Sequence, residues 1–249
     1  MWLILKPSNL FMNIAYCLRG AKDGLPIPPA YLIYLTINNP SIFDYFRGGY
    51  ITHKSILRLF SRNHIEPEKF STILDFGCGC GRVIREFANL KSTELYGSDY
   101  NPKLIKWCQK RLYVANFSTN KLHPPLQYKD NQFDFIYLIS VFTHLPHDVQ
   151  KEWLKEFHRV SKKYVLITLH GDNMKKTLSE SDNAILANQG YLEHNLDSAG
   201  SNHFGTYHTK EYFENMIKGL FKIVDISYGG EPNHPYQDLY LLEKEEKNL

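Results

Sequence analysis

A run of alternating glycines is the part of this 249-residue chain whose chemistry is easiest to interpret. Residues 75–81 have the form D-x-G-x-G-x-G and lie between a short apolar segment and a helical one. Glycine lets the backbone turn sharply and approach a ligand without intervening side chains. Asp99 follows Gly77 by 22 residues, at the end of the next predicted strand, where a carboxylate can accept both hydroxyls of a ribose. Together they predict a nucleoside site.

Two glycine patterns that bind phosphate groups in other proteins are absent from this glycine run. A dinucleotide fingerprint, G-x-G-x-x-G, needs a third glycine where this sequence has Arg82 or Ile84. The phosphate-cradling pattern G-x-x-x-x-G-K-[ST] is also missing. A nicotinamide oxidoreductase is therefore disfavoured, and it is kept as a rival.

Four histidines are candidates for a general base, because each follows a predicted strand or precedes the last one: His144, His170, His208 and His234. Histidine titrates near neutral pH and can take a proton from a hydroxyl nucleophile. Each could instead be structural, for example by bonding a loop carbonyl. A metal site built from them with Asp172 has no supporting ligand spacing, so no metal is predicted.

The elements that would carry these residues alternate along the chain. Short apolar or β-branched runs predict strands at 71–76, 94–97, 114–119, 133–139, 164–169, 221–228 and 239–243. Helical spacing predicts helices at 8–19, 49–63, 82–90, 102–112, 148–160 and 209–218. This alternation is typical of a three-layer α/β fold with a mostly parallel seven-stranded sheet. About ten residues separate the last two strands, too few for a helical crossover, so one strand near the C-terminal end should be antiparallel.

The chain divides into two predicted parts. Residues 1–48 form a helical and irregular extension, and residues 49–249 form the main domain. Within it, residues 172–207 are polar and aperiodic. So long a connection is usually functional, which favours a substrate loop or lid over a surface insertion.

Composition narrows the function classes. A net charge of +3 and dispersed basic residues do not predict a nucleic-acid partner. Four cysteines without a C-x-x-C pair, and no apolar run long enough to span a bilayer, favour a cytoplasmic protein. The N-terminal helix has an apolar face, which predicts packing on the domain; the alternatives are a membrane-surface anchor or a partner-binding helix.

Three motifs resemble one known family when they are taken in order. ILDFGCGCGRV, LYGSDYNPKLI and FDFIYLISVFTHL together resemble the class I S-adenosylmethionine-dependent methyltransferases, whose fold is Rossmann-like. The likeness is strong over residues 70–146 and weaker as far as residue 242. One bacterial branch of the family is resembled by four further segments, PPAYL, LHGD, TYHTKEYF and YQDLYLL. These motifs do not indicate the substrate of that branch.

The resemblance implies roles for the glycine loop and its acidic partner. Asp75, with the backbone of Gly77 and Gly79, would hold the methionine end of S-adenosylmethionine. Asp99 would bind the ribose hydroxyls, and Tyr100 would flank the adenine.

Three further cofactor contacts follow from the resemblance. The family usually has an acidic residue after the third strand for the adenine amino group; here Asn120 offers a side-chain oxygen instead, with Asn116 or Asp130 as alternatives. Ser140 falls where the backbone contacts the methionine moiety. Cys78 takes a variable position of the cofactor loop, as a small filler.

The implied activity is methyl transfer to an oxygen of a small molecule or glycan precursor. Residues 140–143 replace the Asn/Asp-Pro-Pro-aromatic motif that commonly accompanies methylation of amide or exocyclic amino nitrogens, so nitrogen is the less favoured acceptor. A regulatory protein that binds the cofactor without transfer is the rival from another class.

Overall fold

The computed structural model describes residues 7–194, 204–229 and 237–246. Its helices are α1 (Pro7–Arg19), α2 (Ala30–Ile37), α3 (Ile42–Arg62), α4 (Pro102–Arg111), α5 (His147–Val160), α6 (Asp172–Lys175), α7 (Glu180–Gln189) and α8 (Lys210–Ile217). Its strands are β1 (Thr72–Phe76), β2 (Glu94–Asp99), β3 (Asn116–Thr119), β4 (Phe133–Leu138), β5 (Ser161–His170), β6 (Tyr191–His194), β7 (Gly205–His208), β8 (Phe221–Ser227) and β9 (Gln237–Lys244). Short 3-10 turns lie at Pro67–Lys69, Ile84–Phe87 and Phe142–His144.

Seven strands form the main sheet in the order β3-β2-β1-β4-β5-β9-β8. The five strands from β3 to β5 run parallel, whereas β9 is antiparallel to both of its neighbours. The predicted mostly parallel sheet with one reversed strand is confirmed. Strand order reverses between β1 and β4, so their carboxyl ends open a crevice where ligands of open α/β sheets bind.

Hydrophobic clusters cover both faces of the sheet, because successive strand residues point to opposite sides. On β4, Phe135 and Tyr137 join one cluster with α3 and α4 residues, while Ile136 and Leu138 join the other with α5 and α8 residues. The predicted three-layer α/β arrangement is therefore confirmed.

The N-terminal helices differ from the prediction. Helix α2 was expected as irregular chain, because it follows a proline cluster and its apolar residues show no amphipathic period. Helix α3 begins at Ile42 rather than residue 49, with Ser41 as its N-cap. It therefore crosses the predicted boundary between residues 48 and 49. Two glycines, Gly48 and Gly49, occur inside this helix because Arg82 packs where their side chains would lie. A Cβ at Gly49 would collide with the Arg82 carbonyl.

Two other segments correct the predicted elements. Residues 82–90 form a 3-10 turn over Ile84–Phe87 rather than an α-helix, and the successive residues Ile84 and Arg85 are both buried, which does not fit a helix with one apolar face. The segment 172–207, expected as aperiodic loop, contains α6 and α7 and contributes the antiparallel pair β6–β7. Only Leu186 of α7 is buried, so this helix had no periodic apolar signal.

An ion pair between the buried Arg85 and the partly exposed Asp23 attaches the N-terminal segment to the sheet layer. The Arg85 guanidinium, whose side chain has no exposed area, donates to both carboxylate oxygens of Asp23 at 2.6 and 2.9 Å. It also donates to the carbonyls of Leu25 and Pro26. None of the helices among the described residues combines the length and apolarity that a membrane crossing requires.

Candidate functional site

The glycine run turns away from the end of β1 with three residues in the left-handed region. The φ angles of Gly77, Gly79 and Gly81 are +77°, +57° and +83°, which side chains rarely tolerate. The N–H groups of Gly77 and Cys78 donate to the Ser98 carbonyl at 2.7 and 2.9 Å. The loop is therefore held against the end of β2 by backbone contacts.

Helix α2 covers this loop from outside the sheet. A Cβ on Gly79 would collide with the Thr36 side chain, and the Thr36 hydroxyl lies 3.2 Å from the Cys80 sulfur. The Tyr45 hydroxyl donates to the Cys80 carbonyl at 2.8 Å. The contacts of Thr36 with the loop could not be predicted from the sequence, because α2 itself was not predicted.

Asp99 ends β2 directly beside the loop and is buried. One carboxylate oxygen accepts from the Gly79 N–H at 2.9 Å and the other from the Asn101 N–H at 2.8 Å. Burial raises the pKa of Asp99, and these two N–H groups oppose the rise. Each oxygen keeps a lone pair that could accept a further hydroxyl.

Asp75 is 3% exposed and lies at the carboxyl end of β1. Burial raises the pKa of Asp75 to about 7, although Tyr137 and the Arg82 guanidinium lower it in part. Neither the Oδ2 atom of Asp75 nor the Tyr137 hydroxyl completes a hydrogen bond within the described residues. Buried polar atoms without a partner are rare and call for a ligand, ion or water.

Arg82 places a positive charge next to Asp75, a role that the sequence analysis did not assign. Burial lowers the pKa of the Arg82 guanidinium, and Tyr45 and Asp75 oppose the effect. Asp75 therefore lies within electrostatic range of a cation at the loop.

Asn120 follows β3, and its N–H donates to the Asp99 carbonyl at 3.2 Å. The side-chain amide donates to the Lys121 carbonyl, while the buried Oδ1 atom has no partner in the described structure. Asn116 is the first residue of β3, and Asp130 precedes β4 and pairs with Arg159 at 2.7 Å. Both alternatives lie towards the amino ends of the strands, away from the loop.

Tyr100 and Ser140 occupy two other rims of the crevice. Tyr100 is half exposed. Ser140 follows β4 with φ +58°, donates its N–H to the Thr168 hydroxyl at 2.7 Å, and donates its own hydroxyl to Gln237 at 2.9 Å. A non-glycine residue held in this region is frequent at functional sites.

Cys78 and Cys80 are buried. Burial raises the pKa of the Cys78 thiol well above its usual value and that of Cys80 to about 11. Both thiols are therefore protonated at neutral pH and are poor nucleophiles.

His144 and His170 face the β6–β7 hairpin across the crevice. His144 Nδ1 lies 2.7 Å from the Phe204 carbonyl, and His170 Nδ1 lies 3.0 Å from the Thr206 carbonyl. A carbonyl only accepts, so each Nδ1 carries the proton and each Nε2 keeps a free lone pair. Burial lowers the pKa of His144, and lowers that of His170 to about 4 with help from His144. Both rings are neutral bases at pH 7.

His208 lies on β7 itself and is 3% exposed. Its ring stacks on Tyr212, and neither ring nitrogen has a hydrogen-bond partner within the described residues. Burial, followed by the nearby His147 and His170, lowers the pKa of His208 to about 3. His208 therefore packs against α8, within electrostatic range of His170.

The hairpin is anchored by polar contacts that sequence analysis did not foresee. The Thr206 hydroxyl donates to the Leu145 carbonyl at 2.7 Å, and Glu193 accepts from the His147 N–H at 2.7 Å. Tyr207 stacks on His170 with ring centroids 4.5 Å apart. These partners are tens of residues apart in sequence, so local spacing carried no signal for them.

Two candidates named from the sequence fall outside this description. His234 is not among the described residues, and the side chain of Asp172 is not described. Within the described residues, no three His, Cys, Asp or Glu side chains are grouped as metal ligands would be.

The central part of the chain matches a family model. Residues 73–164 match the model described as "Methyltransferase domain". This segment includes the glycine loop, Asp99, Asn120, Ser140 and His144.

Two curated relatives match at low identity. The sterol 24-C-methyltransferase of Schizosaccharomyces pombe is 30% identical over 115 residues, which are 42% of this chain and 29% of that protein. Phosphoethanolamine N-methyltransferase 2 of Caenorhabditis elegans is 27% identical over 158 residues, which are 60% of this chain and 34% of that protein. The aligned segments cover only about a third of the length of either relative.

Solved structures share the fold. Magnesium protoporphyrin IX methyltransferase from Synechocystis with bound SAH superimposes with a TM-score of 0.55 at 16% identity, covering 81% of this chain and 86% of that one. An S-adenosylmethionine-dependent methyltransferase from Mesorhizobium loti gives 0.59 at 14% identity, covering 76% and 96%. At these identities the likeness concerns the fold.

Proposed function

We propose that this chain, which carries a methyltransferase domain with the class I S-adenosylmethionine-dependent fold, transfers a methyl group from S-adenosylmethionine to an oxygen of a small molecule or glycan precursor. The observation that carries the cofactor assignment is the set of unpartnered acceptor atoms around the glycine loop. S-adenosylmethionine supplies the methyl group on its sulfonium; the residues of this chain bind it, orient it and accept a proton.

The amino-acid end of the cofactor fits the charges at the loop. A zwitterionic tail has an ammonium and a carboxylate, and Asp75 and Arg82, which interact electrostatically at the loop, could complement these two charges. Charge-assisted hydrogen bonds are stronger than neutral ones. Gly77 and Gly79 let the backbone make the left-handed turn that places the loop at the end of β1.

The nucleoside end fits the acceptors that follow β2 and β3. The lone pairs that remain on Asp99 can take the ribose hydroxyls, while the free Oδ1 of Asn120 can take the adenine amino group. Tyr100, half exposed beside Asp99, would flank the adenine ring. Ser140, across the crevice, would contact the methionine moiety through its backbone.

The acceptor end favours a hydroxyl. Attack on the sulfonium methyl needs an in-line nucleophile about 3–3.5 Å away, and a hydroxyl also has to lose its proton. His144 and His170 present neutral Nε2 atoms for this step, and their carbonyl partners fix the ring orientation. His208, with two unpartnered nitrogens, would bind the acceptor or relay the proton. The β6–β7 hairpin, the described part of residues 172–207 that contacts His144 and His170, would form the acceptor side of the pocket.

The experiment is calorimetry of the purified chain with S-adenosylmethionine. We expect micromolar binding that Asp99→Ala weakens by at least tenfold, since a charged hydrogen bond contributes about 1.5–3 kcal/mol. Asp130→Ala removes a carboxylate far from the loop and should leave affinity unchanged. No binding, or binding of NADH instead, would overturn the cofactor assignment.

Transfer is tested separately from binding. Incubation with S-adenosylmethionine and a panel of hydroxyl, amino and glycan acceptors should yield S-adenosylhomocysteine only with a hydroxyl acceptor. Turnover with amino acceptors would make the chain an N-methyltransferase. Tight cofactor binding without turnover on any acceptor or cell extract would support the regulatory alternative.

A further inference from the structure

Exposed hydrophobic side chains are concentrated at one end of the sequence. Of the eleven large hydrophobic residues that are exposed in the described part of the chain, seven lie within the first 50 residues. They are Leu10, Phe11, Ile14, Leu18, Tyr31, Leu35 and Tyr50. A single exposed leucine needs no explanation, but such a concentration marks an interaction surface.

Helix α1 displays these residues as a stripe. Leu10, Ile14 and Leu18 follow one another at intervals of four, so they share one face, and Phe11 lies beside them. Phe11 and Leu18 are 72% and 82% exposed. The helix therefore leaves its most apolar face uncovered.

The other face of α1 makes its contacts with the protein. Asn13 accepts from the Ile42 N–H at 2.8 Å and donates to the Pro40 carbonyl at 3.2 Å. Tyr16 stacks on Phe46 of α3 with ring centroids 5.0 Å apart. These contacts fix the helix to α3, so the exposed stripe is an outward-facing part of the folded chain.

Helix α3, against which α1 packs, adds positive charge to this part of the chain. Its solvent face carries Arg47, Tyr50, Lys54 and Arg58, all exposed, around an open cleft of about 720 Å³. Lys54 lies over the Tyr50 ring, 5.7 Å from its centroid. No acidic residue lines this cleft.

Charge is unevenly divided along the sequence. Residues 1–62 contain seven Lys and Arg against two Asp, whereas residues 63–249 contain 22 Lys and Arg against 24 Asp and Glu. One of the two N-terminal acids, Asp23, is paired with Arg85. The modest net charge of the chain is therefore the sum of a basic N-terminal segment and a slightly acidic remainder.

We infer that the outer faces of α1 and α3, here called the N-terminal surface, bind the interface of an anionic lipid bilayer. An apolar stripe with Phe and Leu beside Lys and Arg is the pattern of helices that lie in the headgroup region. Each basic residue near an anionic leaflet adds electrostatic attraction to it. A protein partner or a second copy of the chain would use the apolar stripe, but neither would account for the uncompensated cations of α3.

The test is co-sedimentation of the full chain with vesicles of phosphatidylcholine alone or mixed with phosphatidylglycerol. We expect binding to the mixed vesicles that weakens with added salt, and little binding to the neutral ones. Lys54→Glu with Arg58→Glu should weaken binding by about an order of magnitude or more. Lys106→Glu with Lys110→Glu on α4 has the same spacing and charge change, and it should leave binding intact.

The apolar contribution has its own variant pair. Phe11→Gln with Leu18→Gln should reduce vesicle binding, whereas Tyr113→Gln, at an equally exposed position in the turn between α4 and β3, should not. Circular dichroism of each variant checks that α1 remains folded. Equal binding to neutral and anionic vesicles, no vesicle binding, or self-association abolished by the Phe11 and Leu18 changes would each overturn the inference. Cofactor binding is measured without lipid, so either proposal can fail alone.

Discussion

The glycine loop and the histidine cluster lie at the same edge of the sheet, yet they are built by different kinds of contact. The loop is positioned by backbone groups, with N–H donors of Gly77 and Gly79 bonded to neighbouring positions at the end of β2. The histidines are positioned by carbonyls of a hairpin 36 to 60 residues away in sequence. The proposed cofactor side thus depends on local backbone conformation, whereas the proposed acceptor side depends on how an insertion folds back onto the sheet.

The strongest test of this contrast is to change the histidines without touching the loop. His144→Gln or His170→Gln should lower turnover by about a hundredfold to ten-thousandfold if the ring is the base, with calorimetric cofactor affinity unchanged. Because the pKa of His170 is lowered to about 4, its loss should affect turnover equally at pH 6 and pH 8. His158→Gln, at the far end of α5, is the control. Wild-type turnover in both single variants would assign the two rings a structural role.

Conversely, Gly79→Ala should damage the loop before it affects the histidines. The left-handed φ costs about 1–2 kcal/mol, and the collision with Thr36 adds about 1–3 kcal/mol. We expect lower thermal stability and loss of cofactor binding. Gly219→Ala, at φ +76° with open space around it, carries the conformational cost alone. If the two variants melted alike and both bound cofactor, the close approach of α2 would be unimportant.

This contrast also explains what the sequence could predict. The strand-loop-helix order and the residues around Asp75 and Asp99 were predictable, because each is encoded in a contiguous motif. Helix α2 and the hairpin were not. Their stability comes from contacts such as Thr36 with Cys80 and Thr206 with Leu145. These contacts join distant residues, so local hydrophobic periodicity does not indicate them. The start of α3 was predicted too late for the same reason. Gly48 and Gly49 leave space for Arg82, a distant residue that local sequence does not indicate.

Asp75 offers a pH-dependent test of the cofactor side. Its carboxyl pKa is about 7 in the fold against an ordinary 3.8, so the unfolded chain ionises first as pH rises. Asp75 therefore costs the empty protein stability progressively from about pH 4 to pH 7, up to roughly 4 kcal/mol. Asp75→Asn should raise the melting temperature at pH 8 and have little effect near pH 4.

Bound cofactor should reverse the order of melting temperatures of the wild type and Asp75→Asn at pH 8. The ammonium of S-adenosylmethionine favours the charged carboxylate, so saturating cofactor should stabilise the wild type more than Asp75→Asn at pH 8. Differential scanning calorimetry with and without cofactor measures both effects. An equal stability difference between the two proteins at pH 4 and pH 8 would show that Asp75 does not titrate in this range.

The smallest expected effect probes the hairpin itself. Thr206→Val keeps the side-chain shape but removes the 2.7 Å bond to the Leu145 carbonyl, which still accepts from Gln150. We expect about 1 kcal/mol of lost stability and a few-fold rise in the acceptor KM, because the carbonyl that orients His170 belongs to the same residue. Thr93→Val removes an equivalent 2.7 Å bond, to the Phe70 carbonyl at the amino end of β2. This control should lose similar stability with its KM unchanged, so a rise in both variants would mean that KM follows global stability rather than the hairpin.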